Sequence, residues 1–213
     1  MEFQLKDSLS NYLRAVSLKR NMEKEYSDIN SDILFFDKIF FDNFRLALID
    51  LVNYRDAKEQ WNLLLKDSPL LTKSKAFNKK RKDIENFRNN FSGHFDVDVL
   101  NTVYQKYNEA FLTDSGSESQ YIMITFRMLQ ESINSHDGEL KSLFNSGSEA
   151  GCNLFHPEHQ FILINYLNET LLDAIDVCEY VAQQLNEDLN IPDGRTALAA
   201  LVTEIALEQN DDL

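Results

Sequence analysis

The sequence predicts an all-α protein, an antiparallel helical bundle with a C-terminal helical extension. Three observations carry this. Glycine and proline are scarce, six and three of 213 residues, so turns and helix breakers are few. Leu, Asn, Asp, Glu, Lys and Phe are plentiful, and that balance with so few breakers favours helix. Apolar residues recur every three to four positions along several long stretches, the spacing of a helix face. The length suits one domain, or one domain with an appendage, and allows a substantial core.

A first helix is expected over about residues 2–25, where Phe3, Leu9, Leu13 and Val16 make a broken apolar face. A second follows Asp28 or Ser31, either able to cap it. Its Phe-rich part, from Ile33 to Phe44, is apolar on more than one side, as in a central helix or one that packs against another subunit. Trp61 on this helix reads as core or interface packing. Ser68-Pro69 marks a break. Phe77, Ile84, Phe87 and Phe91 then define a helix from Thr72 to Phe91, and Val97, Leu100, Val103, Tyr104, Tyr107 and Phe111 define the next.

Asp114-Ser115-Gly116-Ser117 ends that helix. Ile122, Phe126, Leu129 and Ile133 recur at i, i+4, i+7 and i+11 and favour helix, with a short strand over Tyr121–Phe126 as the alternative. Residues 135–155, rich in Gly, Ser and Asn, read as a long loop with one helical turn near Leu140–Phe144. Pro157 suits the first position of a strong helix whose seam runs through Ile164, Leu167, Leu171, Ile175, Cys178, Ala182 and Leu185. After a break at Ile191-Pro192-Asp193-Gly194, a last helix carries Leu198, Leu201, Val202 and Ile205 inward and ends in an acidic tail. Residues 1–190 thus form the bundle, and 191–213 a C-terminal helix and tail packed on the same domain.

A formal net charge of −14 supports solubility and argues against general coating of nucleic acid, while leaving room for a local basic site. Cys152 and Cys178 have neither CxxC spacing nor a disulfide framework, and reduced thiols in a cytoplasmic protein are the simplest reading. The N-terminal residues are polar and of mixed charge, unlike a signal peptide, and no uncharged apolar run approaches a membrane span.

The segment with chemical potential is Arg88-Asn89-Asn90-Phe91-Ser92-Gly93-His94. A guanidinium can hold a phosphate at two points, and an imidazole can move protons near neutral pH. In RNA cleavage a 2′-hydroxyl attacks its own phosphodiester, aided by a general base and a general acid. His94 suits either role, Arg88 would stabilise charge on the phosphate, and Asn89 could orient the substrate or the histidine. No metal or other cofactor is needed. On an α-helical wheel the apolar arc of Phe77, Ile84, Phe87, Phe91 and Phe95 has Arg88 at one edge and His94 at the other. The two are about 120° apart around the axis and about 9 Å along it. A single straight helix is therefore a poor site; a helix end at Ser92-Gly93, or two facing copies, would repair it. The bland alternative pairs Arg88 with Glu85 one turn earlier and makes Gly93 a helix C-cap.

The segment resembles the Arg-polar-x(3–5)-His signature of the HEPN (higher eukaryote and prokaryote nucleotide-binding) superfamily. The resemblance extends loosely over residues 30–185. It implies a HEPN-like helical bundle that homodimerises with two motifs facing one cleft. It also implies a metal-independent ribonuclease of a toxin–antitoxin, phage-defence or RNA-processing system, or a relative that has lost activity. Arg88, Asn89 and His94 would be the catalytic residues, and RNA and an antitoxin or other partner protein the implied partners.

Two further clusters stand out. Lys73, Lys75, Lys79, Lys80, Arg81 and Lys82 lie upstream of Arg88. Lys79, Arg81 and Lys82 could attract an RNA backbone, or the cluster is a solvated face paired with acidic neighbours. His156 and His159 have metal-ligand spacing, but His156-Pro157-Glu158-His159 also reads as a helix start. A second function class is open throughout: a non-catalytic helical interaction or scaffold module, which the acidic balance and long apolar helices suit equally well.

Overall fold

The computed structural model describes residues 5–31, 38–93, 97–108, 116–144 and 151–189. Among them the protein is an all-α bundle without strands. Its helices are α1 (Leu5–Ser31), α2 (Lys38–Gln60), α3 (Asn62–Leu65), α4 (Leu71–Phe87), α5 (Val97–Lys106), α6 (Glu118–Ser135), α7 (Glu139–Phe144) and α8 (Pro157–Leu189). A π-helical segment, Arg88–Gly93, continues α4. No described helix is long and apolar enough to cross a membrane.

The bundle is organised on α1 and α8, which pack against each other along most of their length. Paired side-chain amides of Asn30 and Asn168 join the C-terminal end of α1 to α8, and Lys19, midway along α1, meets Glu179 at 3.3 Å. The helices are thus antiparallel. Helix α1 turns Ala15, Leu18, Met22 and Ile29 into the core. Leu9, Leu13 and Val16, the face that stands out in the sequence, remain exposed. Asp28 lies inside α1 and is no cap, because the helix runs on to Ser31.

In α2 the aromatic residues Phe40, Phe41 and Phe44 are core. That is the central-helix reading of the described part of the Phe-rich stretch; Ile33 to Asp37 lie outside the described residues. Ile39, Leu46 and Ile49 keep an apolar stripe on the outer face of α2. Trp61 ends the helix in full burial and donates its indole N–H to Asn11 at 3.1 Å. The break at Ser68-Pro69 is held by Ser68, whose hydroxyl donates to the Leu65 carbonyl and accepts the Leu70 N–H.

The end of the bundle formed by α5 to α7 is fastened by buried polar groups. Ser117 caps α6 by accepting the Gln120 N–H, and Gly116 makes the preceding turn at φ +82°. Position 126, the end of the stretch with strand as its alternative, is helical like its neighbours. Glu131, almost fully buried in α6, takes Lys106 at 2.6 Å and the Tyr107 hydroxyl at 2.8 Å, tying α5 down. The expected turn near Leu140–Phe144 is α7, and α8 starts at Pro157. The expected C-terminal helix, with Leu198, Leu201, Val202 and Ile205, lies outside the described residues.

Candidate functional site

Helix α4 does not continue to Phe91 as an α-helix. At Arg88 the ladder widens to π-type bonding and keeps it through Gly93. Bonding from i to i+5 puts residues four to five apart on one face, where an α-helix aligns those three to four apart. The straight α-wheel therefore does not describe this segment. Two asparagines hold it: Asn90 donates to the Asn86 side chain at 2.9 Å, and Asn86 donates to the Ser132 carbonyl of α6 at 3.0 Å. His94 lies outside the described residues, so Arg88 and Asn89 are the described part of the motif.

Both are exposed, and Arg88 donates to the Asn89 side-chain oxygen at 3.3 Å. They line a polar cleft of about 330 Å³ together with Glu85 and with Val52, Asn53, Arg55 and Asp56 of α2. The α2 wall is the part that sequence reasoning missed. Arg55 sits thirty residues before its partner Glu85, so no local spacing announces the pair.

The electrostatics of the cleft are balanced. Arg55 Nη1 meets Glu85 at 2.6 Å, while its Nε and Nη2 meet Asp56 at 2.8 and 2.6 Å. Arg81 adds a contact to Glu85 at 2.7 Å and reaches Glu59 at 3.3 Å. Glu85 thus takes two guanidinia from elsewhere, although the sequence offers it to Arg88. The Arg81 hydrogen bond, with the Arg55 bond behind it, holds the Glu85 carboxyl below its usual range against the opposing effect of burial. Glu85 therefore stays ionised in the cleft.

The upstream basic cluster divides. Lys75, Lys79 and Lys82 are exposed. Lys73 meets Asp173 and Asp176. Lys80 is buried, its ammonium 4.9 Å from the centre of the Tyr166 ring and 3.4 Å from Glu169. Of the three residues expected to attract RNA, Arg81 is committed to carboxylates, while Lys79 and Lys82 face solvent.

The two histidines near α8 lie side by side at its start. His159 accepts the Asn153 N–H on Nδ1 at 2.8 Å, and its ring lies 5.7 Å from that of His156. No group of three His, Cys, Asp or Glu residues among those described is arranged to hold a metal ion. Compared with protein-family models, with curated proteins and with solved structures, the chain finds no match.

Proposed function

We propose that the chain is a HEPN-like protein that binds RNA at the Arg88 cleft and cleaves it without a metal. The observation that supports this reading is the exposure of Arg88 and Asn89 on one wall of an open polar cleft, on a π-helical turn that leads to His94. π-Turns inside helices often occur at functional sites. In this reading Arg88 holds the phosphate and stabilises its developing charge. Asn89 orients the substrate, and His94 exchanges the proton of the 2′-hydroxyl or of the leaving oxygen. Two copies meeting along the Ile39, Leu46 and Ile49 stripe, on the outer face of the helix that also carries Asn53 and Asp56, would supply a composite site.

The test is cleavage of RNA by the purified full chain in EDTA. Loss of one positioned acid–base group costs about 10²–10⁴-fold, so His94→Ala should lower the rate by that order while the fold persists. Arg88→Ala should do the same. Activity unchanged by either substitution rejects the reading.

One observation favours the second class, a non-catalytic interaction module. The carboxylates Asp56, Glu59 and Glu85 neutralise Arg55 and Arg81, which limits the attraction of the cleft for a polyanion. That reading predicts no cleavage at any pH and a stable complex with a partner protein.

A further inference from the structure

Near the C-terminal end of α8, helices α1 and α8 leave between them a groove of about 250 Å³. Tyr12, Val16 and Lys19 form its α1 wall. Its α8 wall is Glu179, Ala182, Gln183 and Asn186, with small Ala182 allowing close approach. The Lys19–Glu179 pair fixes the antiparallel register, so Val16 is level with Ala182 and Tyr12 with Asn186. Beside the groove, Leu9, Leu13 and Val16 are 45%, 57% and 40% exposed. Their i, i+4, i+7 spacing makes one apolar stripe, the kind of face a helix normally buries.

The chain itself carries a segment that fits. The described part of helix α8 reaches Leu189, level with Leu9 of α1 in the register set by Lys19 and Glu179. The next residues, Asn190-Ile191-Pro192-Asp193-Gly194, carry strong turn signals. Leu198, Leu201, Val202 and Ile205 follow, outside the described residues, with the spacing of one helix face. Counted from Pro192, these four lie six, nine, ten and thirteen positions on. Asn186, Gln183, Ala182 and Glu179 lie six, nine, ten and thirteen positions back. Helical hairpins close through loops of about 2–5 residues, so a chain folded back at Pro192 brings each apolar residue level with one residue of the groove.

We propose that the Leu198–Ile205 segment docks as a helix in the α1–α8 groove, antiparallel to α8, with Val202 over Ala182, and covers the Leu9–Leu13–Val16 stripe. The match of length and register favours this segment of the same chain over a second copy or another protein. The proposal is independent of the reading of the Arg88 cleft.

Disulfide trapping in the full chain tests it. The native thiols Cys152 and Cys178 are buried and give little background. A disulfide needs Cα atoms about 4.4–6.8 Å apart. The pair Ala182→Cys with Val202→Cys should close under mild oxidation and yield a faster-migrating monomer on a non-reducing gel. The pair Asn186→Cys with Ile205→Cys, about 10 Å out of register, should stay reduced. A covalent dimer from the first pair would assign the groove to a second copy and overturn the proposal. Failure of the first pair to close, or equal closure of both pairs, would overturn it as well.

Discussion

The Tyr166 hydroxyl of α8 donates to the Asp83 carboxylate of α4 at 2.7 Å, with both residues buried. The same carboxylate oxygen accepts the Leu140 N–H at 3.1 Å, and so caps α7 from a distant helix. His136 lies 3.6 Å from the other oxygen. One carboxylate thus joins α4, the α6–α7 corner and α8, and it lies hard against Gly138.

Substitutions around Asp83 should therefore be coupled. Tyr166→Phe removes a hydrogen bond to a charged acceptor, which typically costs about 1.5–3 kcal/mol. A Cβ on Gly138 would fall 1.5 Å from Asp83 Oδ1, so Gly138→Ala must push the carboxylate or the corner aside and should cost at least as much. Because both changes act through Asp83, the double variant should lose less than the sum of the two. Urea unfolding of the four proteins reads this directly, and strict additivity would show that the carboxylate does not couple the two positions.

Glu25, packed beside Asp50, sets a pH dependence. Burial, with the neighbouring Asp50 carboxyl adding to it, pushes Glu25 up to about 8. The carboxyl has one buried oxygen without a hydrogen-bond partner among the described residues. Lys24 opposes the shift and Asp28 adds to it. Between pH 4.5 and 8 the folded protein holds a proton that the unfolded chain releases, so the contribution of Glu25 to stability is complete below 4.5 and falls as pH rises. At about 1.4 kcal/mol per pKa unit the loss is a few kcal/mol at most. Glu25→Gln should flatten the fall of Tm with pH over this window and be more stable than wild type at pH 8. An unchanged slope would exclude Glu25 as its source.

Charge in the Arg88 cleft should respond to Glu85. Glu85→Gln weakens the hold on Arg55 and Arg81 and adds one net positive charge. If the cleft takes RNA, single-stranded RNA should bind more tightly to this variant at low salt. The variant should also show a steeper salt dependence, since each added phosphate contact raises the slope by about 0.7 for single strands. Arg88→Ala should move both quantities the other way. Anisotropy titrations at 50 and 200 mM salt, concentrations between which such contacts weaken strongly, give the answer. Parallel, unshifted curves for all three proteins would separate the cleft from RNA.

The thiols should report global unfolding. Burial pushes the Cys152 thiol up to about 12 and raises Cys178 as well, so neither is a thiolate at neutral pH. A thiol reagent should label both only as urea opens the bundle, in step with loss of helical signal. Labelling of Cys178, fully buried in the α8 seam, under native conditions would contradict this packing.

The long helices were legible because their signals are local. Pro157 marks a start, and Leu167, Leu171, Cys178 and Leu185 repeat at helical spacing into the core. Where a helix carries two apolar stripes, periodicity cannot choose between them. Leu9, Leu13 and Val16 make the stronger pattern in α1, yet Ala15, Leu18 and Met22 face the core because α2 and α8 lie on that side. The candidate site was legible to the extent that Arg88 and Asn89 share an exposed position. Its opposite wall was hidden, because Arg55 meets Glu85 only when α2 and α4 pack. The π-turn was hidden for the same reason: its supports are the bonds from Asn90 to Asn86 and from Asn86 to Ser132 of α6.

A π-turn holds one more residue than the α-turn that would bridge the same gap, and this gives the Arg88–Gly93 stretch the character of an insertion. Losing a single residue there would let the ladder close as an ordinary α-helix, with little change to α4 upstream. Because the shorter turn bridges the same gap, the helices described on either side, α4 and α5, would keep their places. A one-residue deletion there would thus be absorbed within the turn, and descendants of this sequence could differ in length at this point by a single codon while the packing of α4 on its neighbours persists.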